Sequence, residues 1–127
     1  MAQLSSVLLV DDDPHVRDVF QLVMKHYKMP LAVASDAESA LDYLKSNTPD
    51  VIVMDLFLPG LDGYQALNRI RKGALASGSK IVATTAYYTQ DTETEVFQRG
   101  FDGYLAKPID SNALLEYLQR VVNENRS

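Results

Sequence analysis

No cysteine occurs among the 127 residues, which excludes disulfides, thiolate catalysis and cysteine-ligated zinc or iron sites. Positive charge is also scarce. Only 12 Lys and Arg face 17 Asp and Glu, for a formal charge of -5, and the basic residues form no cluster. Nucleic-acid binding needs a basic patch, so direct contact with DNA or RNA is not expected. No apolar run approaches the roughly twenty residues needed to span a bilayer, and Met1 to Ser6 is too short and polar for a signal peptide. A Gly-x-Gly-x-x-Gly cradle is missing, so Gly60 and Gly63 read as turn and helix-start residues, and His15 and His26 stand at no ligand spacing. Hydrophobic residues make up 46% of the chain, enough to enclose one substantial core. These features predict a soluble cytoplasmic protein with one domain over residues 1–127.

Short apolar runs, Val7–Val10, Leu31–Ala34, Val51–Met54, Lys80–Ala83 and Tyr104–Leu105, alternate with segments of helical periodicity. That is the pattern of a βα repeat. Val16, Val19, Phe20, Val23, Met24 and Tyr27 share one face of a first helix. Ser35 and Glu38 fit a capping box for a short second helix, which Pro49 stops. Gly63, Ala66, Leu67, Ile70 and Ala74 form a weaker third stripe. The fourth segment, Asp91 to Arg99, has only Val96 and Phe97 as anchors and is predicted to be mobile. The last helix starts near Asp110 or Ser111 and carries Leu114, Leu115, Leu118, Val121 and Val122. Continuous apolar strands joined by helices imply a parallel, doubly wound α/β sheet, which binds ligands outside the carboxyl ends of its strands.

Polar signals sit at those ends: Asp11-Asp12-Asp13, Asp55, Thr84-Thr85 and Lys107-Pro108. Three carboxylates in one crevice repel one another and require a cation. With oxygen ligands only, the fitting ion is Mg2+, which usually shares its shell with water and phosphate oxygens. Lys107 and the Thr85 hydroxyl then serve a phosphoryl group, and Asp55 is left as the nucleophile. Asp13, before Pro14 at the first helical position, reads as a helix N-cap rather than a ligand.

The blocks Val7-Leu8-Leu9-Val10-Asp11-Asp12-Asp13-Pro14, Met54-Asp55-Leu56-Phe57-Leu58-Pro59-Gly60-Leu61-Asp62-Gly63-Tyr64, Thr84-Thr85-Ala86 and Gly103-Tyr104-Leu105-Ala106-Lys107-Pro108 resemble the signature of response regulator receiver domains. Each block alone is weak; four in order, each after a strand, are specific. The resemblance implies a flavodoxin-like (βα)5 fold with five parallel strands in the order 2-1-3-4-5. It implies Mg2+-dependent phosphoryl transfer to Asp55 from a sensor histidine kinase or histidine phosphotransfer protein. Asp12, Asp55 and the main-chain carbonyl of Phe57 would ligate the metal, with Asp11 acting through bound water. Thr85 and Tyr104 would form the switch that changes the helix 4, strand 5 and helix 5 surface, and the Lys107–Pro108 bond would be cis. Such a protein is a signalling switch that catalyses its own phosphorylation and dephosphorylation rather than an enzyme in the usual sense. The stretch from Asp102 to Asp110 is more similar to receivers of hybrid kinases and phosphorelays than to those fused to winged-helix domains.

The resemblance also implies that the positions two residues after the acceptor and two after the threonine border the phosphorylation site; here they are Phe57 and Tyr87, aromatic where polar side chains would admit water, which predicts slow dephosphorylation. Two other functions compete. A haloacid-dehalogenase-like phosphatase would use Asp11-Asp12-Asp13 as its Asp-x-Asp, but has Thr or Val where this chain has His15. A phosphorylation-independent receiver-like binding module would not need the acceptor residues, all of which are present.

Overall fold

The computed structural model describes residues 3–124. Five strands, β1 (Val7–Val10), β2 (Leu31–Ala34), β3 (Val51–Asp55), β4 (Lys80–Thr85) and β5 (Gly103–Ala106), alternate with five helices. The helices are α1 (Pro14–His26), α2 (Ala37–Leu44), α3 (Gly63–Lys72), α4 (Thr92–Gln98) and α5 (Leu114–Asn123). All strand pairs are parallel, and the sheet order is β2-β1-β3-β4-β5. This is the doubly wound, flavodoxin-like fold expected.

The sheet divides the core into two layers because strand side chains alternate between faces. Val7, Leu9, Val51, Val53 and Val82 meet Val16, Phe20, Val23 and Met24 of α1 and Leu114, Leu118 and Val121 of α5. On the other face Leu8, Val10, Ile52, Met54, Ile81 and Ala83 meet α2, α3 and Val96 of α4. β3 is central and wholly buried, which carries Asp55 to the middle of the carboxyl edge. Among the described residues, no helix is long and apolar enough to cross a membrane.

Several boundaries differ from the sequence reading. α1 ends at His26, and Tyr27 is 56% exposed rather than core, because Lys28 takes a left-handed conformation (φ 55°) that breaks the helical progression. α2 is capped by Asp36, whose Oδ1 accepts from the Ser39 amide at 2.8 Å, so Ser35 and Glu38 form no capping box. The capping box belongs to α3 instead, where Asp62 and Gln65 exchange bonds of 2.9 and 3.0 Å. Ala74 lies outside that helix. α5 begins at Leu114, since Asp110 accepts from the Asn112 and Ala113 amides and holds 111–113 in a turn. Asp13 is the N-cap of α1, accepting from the His15 amide at 2.9 Å, and the Lys107–Pro108 bond is cis.

Candidate functional site

Each strand of the central trio delivers its polar residue to the same edge. Asp11 follows β1, Asp55 ends β3 and Thr85 ends β4, while Lys107 follows β5 and donates its amide to the Thr85 carbonyl at 3.0 Å. Gly63 makes the approach of α3 feasible, because a Cβ there would lie 2.7 Å from the Asp55 carbonyl oxygen and 2.8 Å from Leu56 Cα.

The centre is an ion-paired triangle. Lys107 Nζ lies 3.1 Å from Asp55 Oδ2 and 3.0 Å from Asp11 Oδ2, with all three side chains largely buried. Asp55 Oδ1 accepts from the Phe57 amide and Asp11 Oδ1 from the Asp13 amide, each at 2.9 Å. Burial pushes the Asp11 carboxyl pKa above its ordinary value and the Asp55 charge adds to this, while the Asp13 amide and Lys107 offset part of it. For Lys107, burial alone would lower the pKa; its bonds and charges with Asp11 and Asp55 outweigh that, and the net displacement is upward.

Asp12 completes an acidic cluster: ligand oxygens of Asp11, Asp12 and Asp55 all lie within 4.8 Å of one another. Asp11 Oδ2, although close to Lys107, has no well-directed hydrogen bond from any described residue despite being buried. An oxygen-only donor set with an under-satisfied buried carboxylate fits a hard divalent cation such as Mg2+.

At the mouth, Phe57 (57% exposed) and Tyr87 (76% exposed) pack edge to face, with ring centroids 5.4 Å apart and planes at 81°. Thr85 is buried, and its Oγ1 accepts from the Tyr87 amide at 3.0 Å. Tyr104 is half-buried against the α2–α3–α4 layer, and its hydroxyl has no hydrogen-bond partner among the described residues. Burial, with Tyr88 and Glu93 nearby, raises its pKa. His15 is exposed and outside this constellation, and His26 stacks edge-on to Tyr27. Periodicity puts Tyr117 on the exposed side of the last helix, but it is half-buried: its hydroxyl crosses from α5 to accept from the Tyr104 amide at 2.8 Å, a placement that only the missing Cβ of Gly103 permits.

The chain belongs to the response regulator receiver domain family, whose model matches residues 7–119. It is 31% identical to a 14.6 kDa protein of Leptolyngbya boryana, over 94% of this chain and 91% of that one. Identity to the nitrate/nitrite response regulator NarL of Escherichia coli is 34%, over 91% of this chain but 54% of NarL. Thus the chain spans about half the length of some curated relatives and nearly all of others. Among solved structures, the receiver domain of a Pseudomonas aeruginosa sensor histidine kinase, with magnesium coordinated in its active-site cleft, matches with a TM-score of 0.83 and 31% identity. That match covers 97% of this chain and all of that one. A response regulator from Chloroflexus aurantiacus matches with a TM-score of 0.86 and 30% identity over 96% of this chain and all of that one.

Receiver domains are the signalling switches of two-component systems; they pair with sensor histidine kinases or phosphotransfer proteins and bind Mg2+ in their acidic site. The pocket of Asp11, Asp12 and Asp55 fits phosphoryl acceptance and Mg2+ binding, and nothing supports the phosphatase or the phosphorylation-independent module.

Proposed function

We propose that Asp55 is the phosphoacceptor, and that the Lys107 ammonium bridging it to Asp11 is the observation that carries this reading. A carboxylate oxygen of Asp55 forms the new O–P bond as the donor's N–P bond breaks, and the donor imidazole keeps the electron pair and takes up a proton. Asp12, Asp55 and the Phe57 carbonyl are the residues to hold Mg2+, with Asp11 acting through water. The ion supplies positive charge that offsets the carboxylates and the phosphoryl oxygens. Lys107 follows the phosphoryl group, because the charge it neutralises moves there. Thr85 exchanges its bond with the Tyr87 amide for one to the phosphoryl group, and Tyr104 turns into the space vacated, altering the α4–β5–α5 surface. The phosphodonor is a histidine kinase or histidine phosphotransfer protein, and residues 1–127 act as one cytoplasmic domain that contacts neither membrane nor nucleic acid.

Incubation with Mg2+ and acetyl phosphate, followed by mass spectrometry, should add one phosphoryl group. Equal addition in Asp55→Asn would refute the assignment.

The edge-to-face pair of Phe57 and Tyr87 shields the acyl phosphate from attacking water and prolongs its life. Phe57→Asn and Tyr87→Ala should each hasten dephosphorylation. An unchanged half-life in both would remove the pair from the mechanism.

A further inference from the structure

Thr84 carries a buried hydroxyl that the reactions above leave without a role. Its side chain is 0% exposed, and Oγ1 has no hydrogen-bond partner among the described residues. A buried unpaired hydroxyl is unfavourable and uncommon, and valine would fill the same space without that penalty. The preceding residues of the strand, Ile81, Val82 and Ala83, are all apolar.

Its position relates it to the site. Alternation along the strands puts Thr84 on the face of Val82, Asp55 on that of Val53, and Asp11 on that of Leu9, all toward α1 and α5. The register sets Asp55 beside Thr84, and Thr84 beside Leu105. Lys107 leaves the chain two residues after Leu105, yet its Nζ arrives at Asp55 on β3 and Asp11 beyond β1. Alternation puts Lys107 on the face of Leu105, which is the face that bears Thr84, so the direct path of its side chain from β5 to Asp55 runs across β4 on that face.

In the unmodified protein two carboxylates hold the ammonium, and the Thr84 hydroxyl stands aside. Phosphorylation of Asp55 moves the negative charge outward and releases Lys107 from Asp55 Oδ2. We propose that Thr84 is a positioning residue of the phosphorylated state: its hydroxyl accepts a hydrogen bond from the Lys107 ammonium as that group turns to the phosphoryl oxygens. An ammonium has three protons to donate, so Asp11, the phosphoryl group and Thr84 can be served together. An interaction made in only one of two states shifts the equilibrium toward that state. This inference rests on the assignment of Asp55 and Lys107 above.

The test is titration of the full chain with beryllofluoride, a phosphoryl mimic, in Mg2+ by isothermal titration calorimetry, alongside thermal unfolding without either ligand. Thr84→Val keeps the shape and removes the hydroxyl; it should bind beryllofluoride about five- to tenfold more weakly, the effect of one lost hydrogen bond. Its melting temperature without ligand should be equal or higher, because no partner is lost in that state. Thr84→Ser should recover affinity to within about twofold of the unaltered protein. Unchanged affinity in Thr84→Val, equal weakening in Thr84→Ser, or a lower unliganded melting temperature in Thr84→Val would each overturn the proposal. Asp55→Asn separates the two readings. Binding that persists there removes the acceptor assignment and the role of Thr84 with it, whereas binding lost there but intact in Thr84→Val removes Thr84 alone.

Discussion

Replacing Lys107 by methionine keeps most of the side-chain volume and removes the charge that bridges Asp11 and Asp55 at 3.0 and 3.1 Å. The ammonium, with its side chain 10% exposed, neutralises two carboxylates that are themselves almost wholly buried. Removing one partner of a buried ion pair costs about 3 to 5 kcal/mol, because the remaining charge is left without compensation. Protonation of Asp11, whose pKa burial already raises, limits the loss, so about 3 kcal/mol is the expected value at neutral pH. In a domain of this size that corresponds to a fall of about 10 °C in melting temperature. The sign with pH follows from linkage. Burial raises the Asp11 pKa and Lys107 offsets part of that, so without Lys107 the folded Asp11 binds its proton still more tightly than the unfolded one; the variant is most stable below the unfolded carboxyl pKa and loses stability as pH rises through the folded Asp11 value. Differential scanning calorimetry at pH 4.5 and 7, with chelator or with Mg2+, checks each part: the deficit should shrink at the lower pH and on adding Mg2+. A metal-free variant melting within about 2 °C of the parent at pH 7 would refute the electrostatic account of this site.

Asp36 has its pKa lowered by the hydrogen bond from the Ser39 amide, so its contribution is present above the unfolded carboxyl pKa and lost as pH falls through the folded value. Asp36→Asn, which retains the cap but not the charge, should flatten the acid limb of the stability profile in urea titrations, and superimposable limbs would exclude a role for the charge. Gly63→Ala drives a Cβ into the backbone at Asp55 and Leu56; it should cost about 2 to 3 kcal/mol in denaturant unfolding and slow phosphorylation by acetyl phosphate. Normal stability and rate would show that the backbone yields there. Ala74 is exposed with φ 54°, so Ala74→Gly should relieve left-handed strain and stabilise by roughly 0.5 kcal/mol after the entropy cost of glycine. A destabilised Ala74→Gly would show that the strain is absent.

The central part of the fold was legible because burial on both faces leaves a strand no choice of residue. Val51 to Met54 is continuously apolar, and all of it is buried, so Asp55 at its end stood out. Four such ends in the right order also pointed to Asp11, Asp12, Thr85 and Lys107, which the fold brings to one edge of the sheet. Local boundaries were less legible where one residue type serves two purposes. Ser35 and Glu38 have the spacing of a capping box, yet the carboxylate of Asp36, one residue on, takes the Ser39 amide. Asp110 looks like a cap for α5 but closes a turn with Asn112, and the helix waits until Leu114. Tyr27 has the right spacing for the α1 face and falls off it, because the chain turns left-handed at Lys28. Thr84 follows the apolar run Ile81-Val82-Ala83. That its hydroxyl is buried without a partner depends on the packing of α1 and α5 around it, which no local pattern in Ala83-Thr84-Thr85 encodes.

Thr85 and Tyr87 link two properties that could have been independent. Thr85 Oγ1 holds the Tyr87 amide, and the Tyr87 ring leans edge-on against Phe57, two residues after Asp55. Under the proposed switch, Thr85 gives up that amide when it turns to the phosphoryl group, so the backbone that carries the Tyr87 ring loses a restraint as the phosphorylated state forms. α4, which follows this loop and buries only Val96, adds little to hold it in place. Under the same proposal, the ring pair that shields the acyl phosphate is tied to the hydroxyl that reads it. Tightening the Phe57–Tyr87 contact would favour both a longer-lived phosphate and a Thr85 that stays at its resting position, two effects that pull the output in opposite directions.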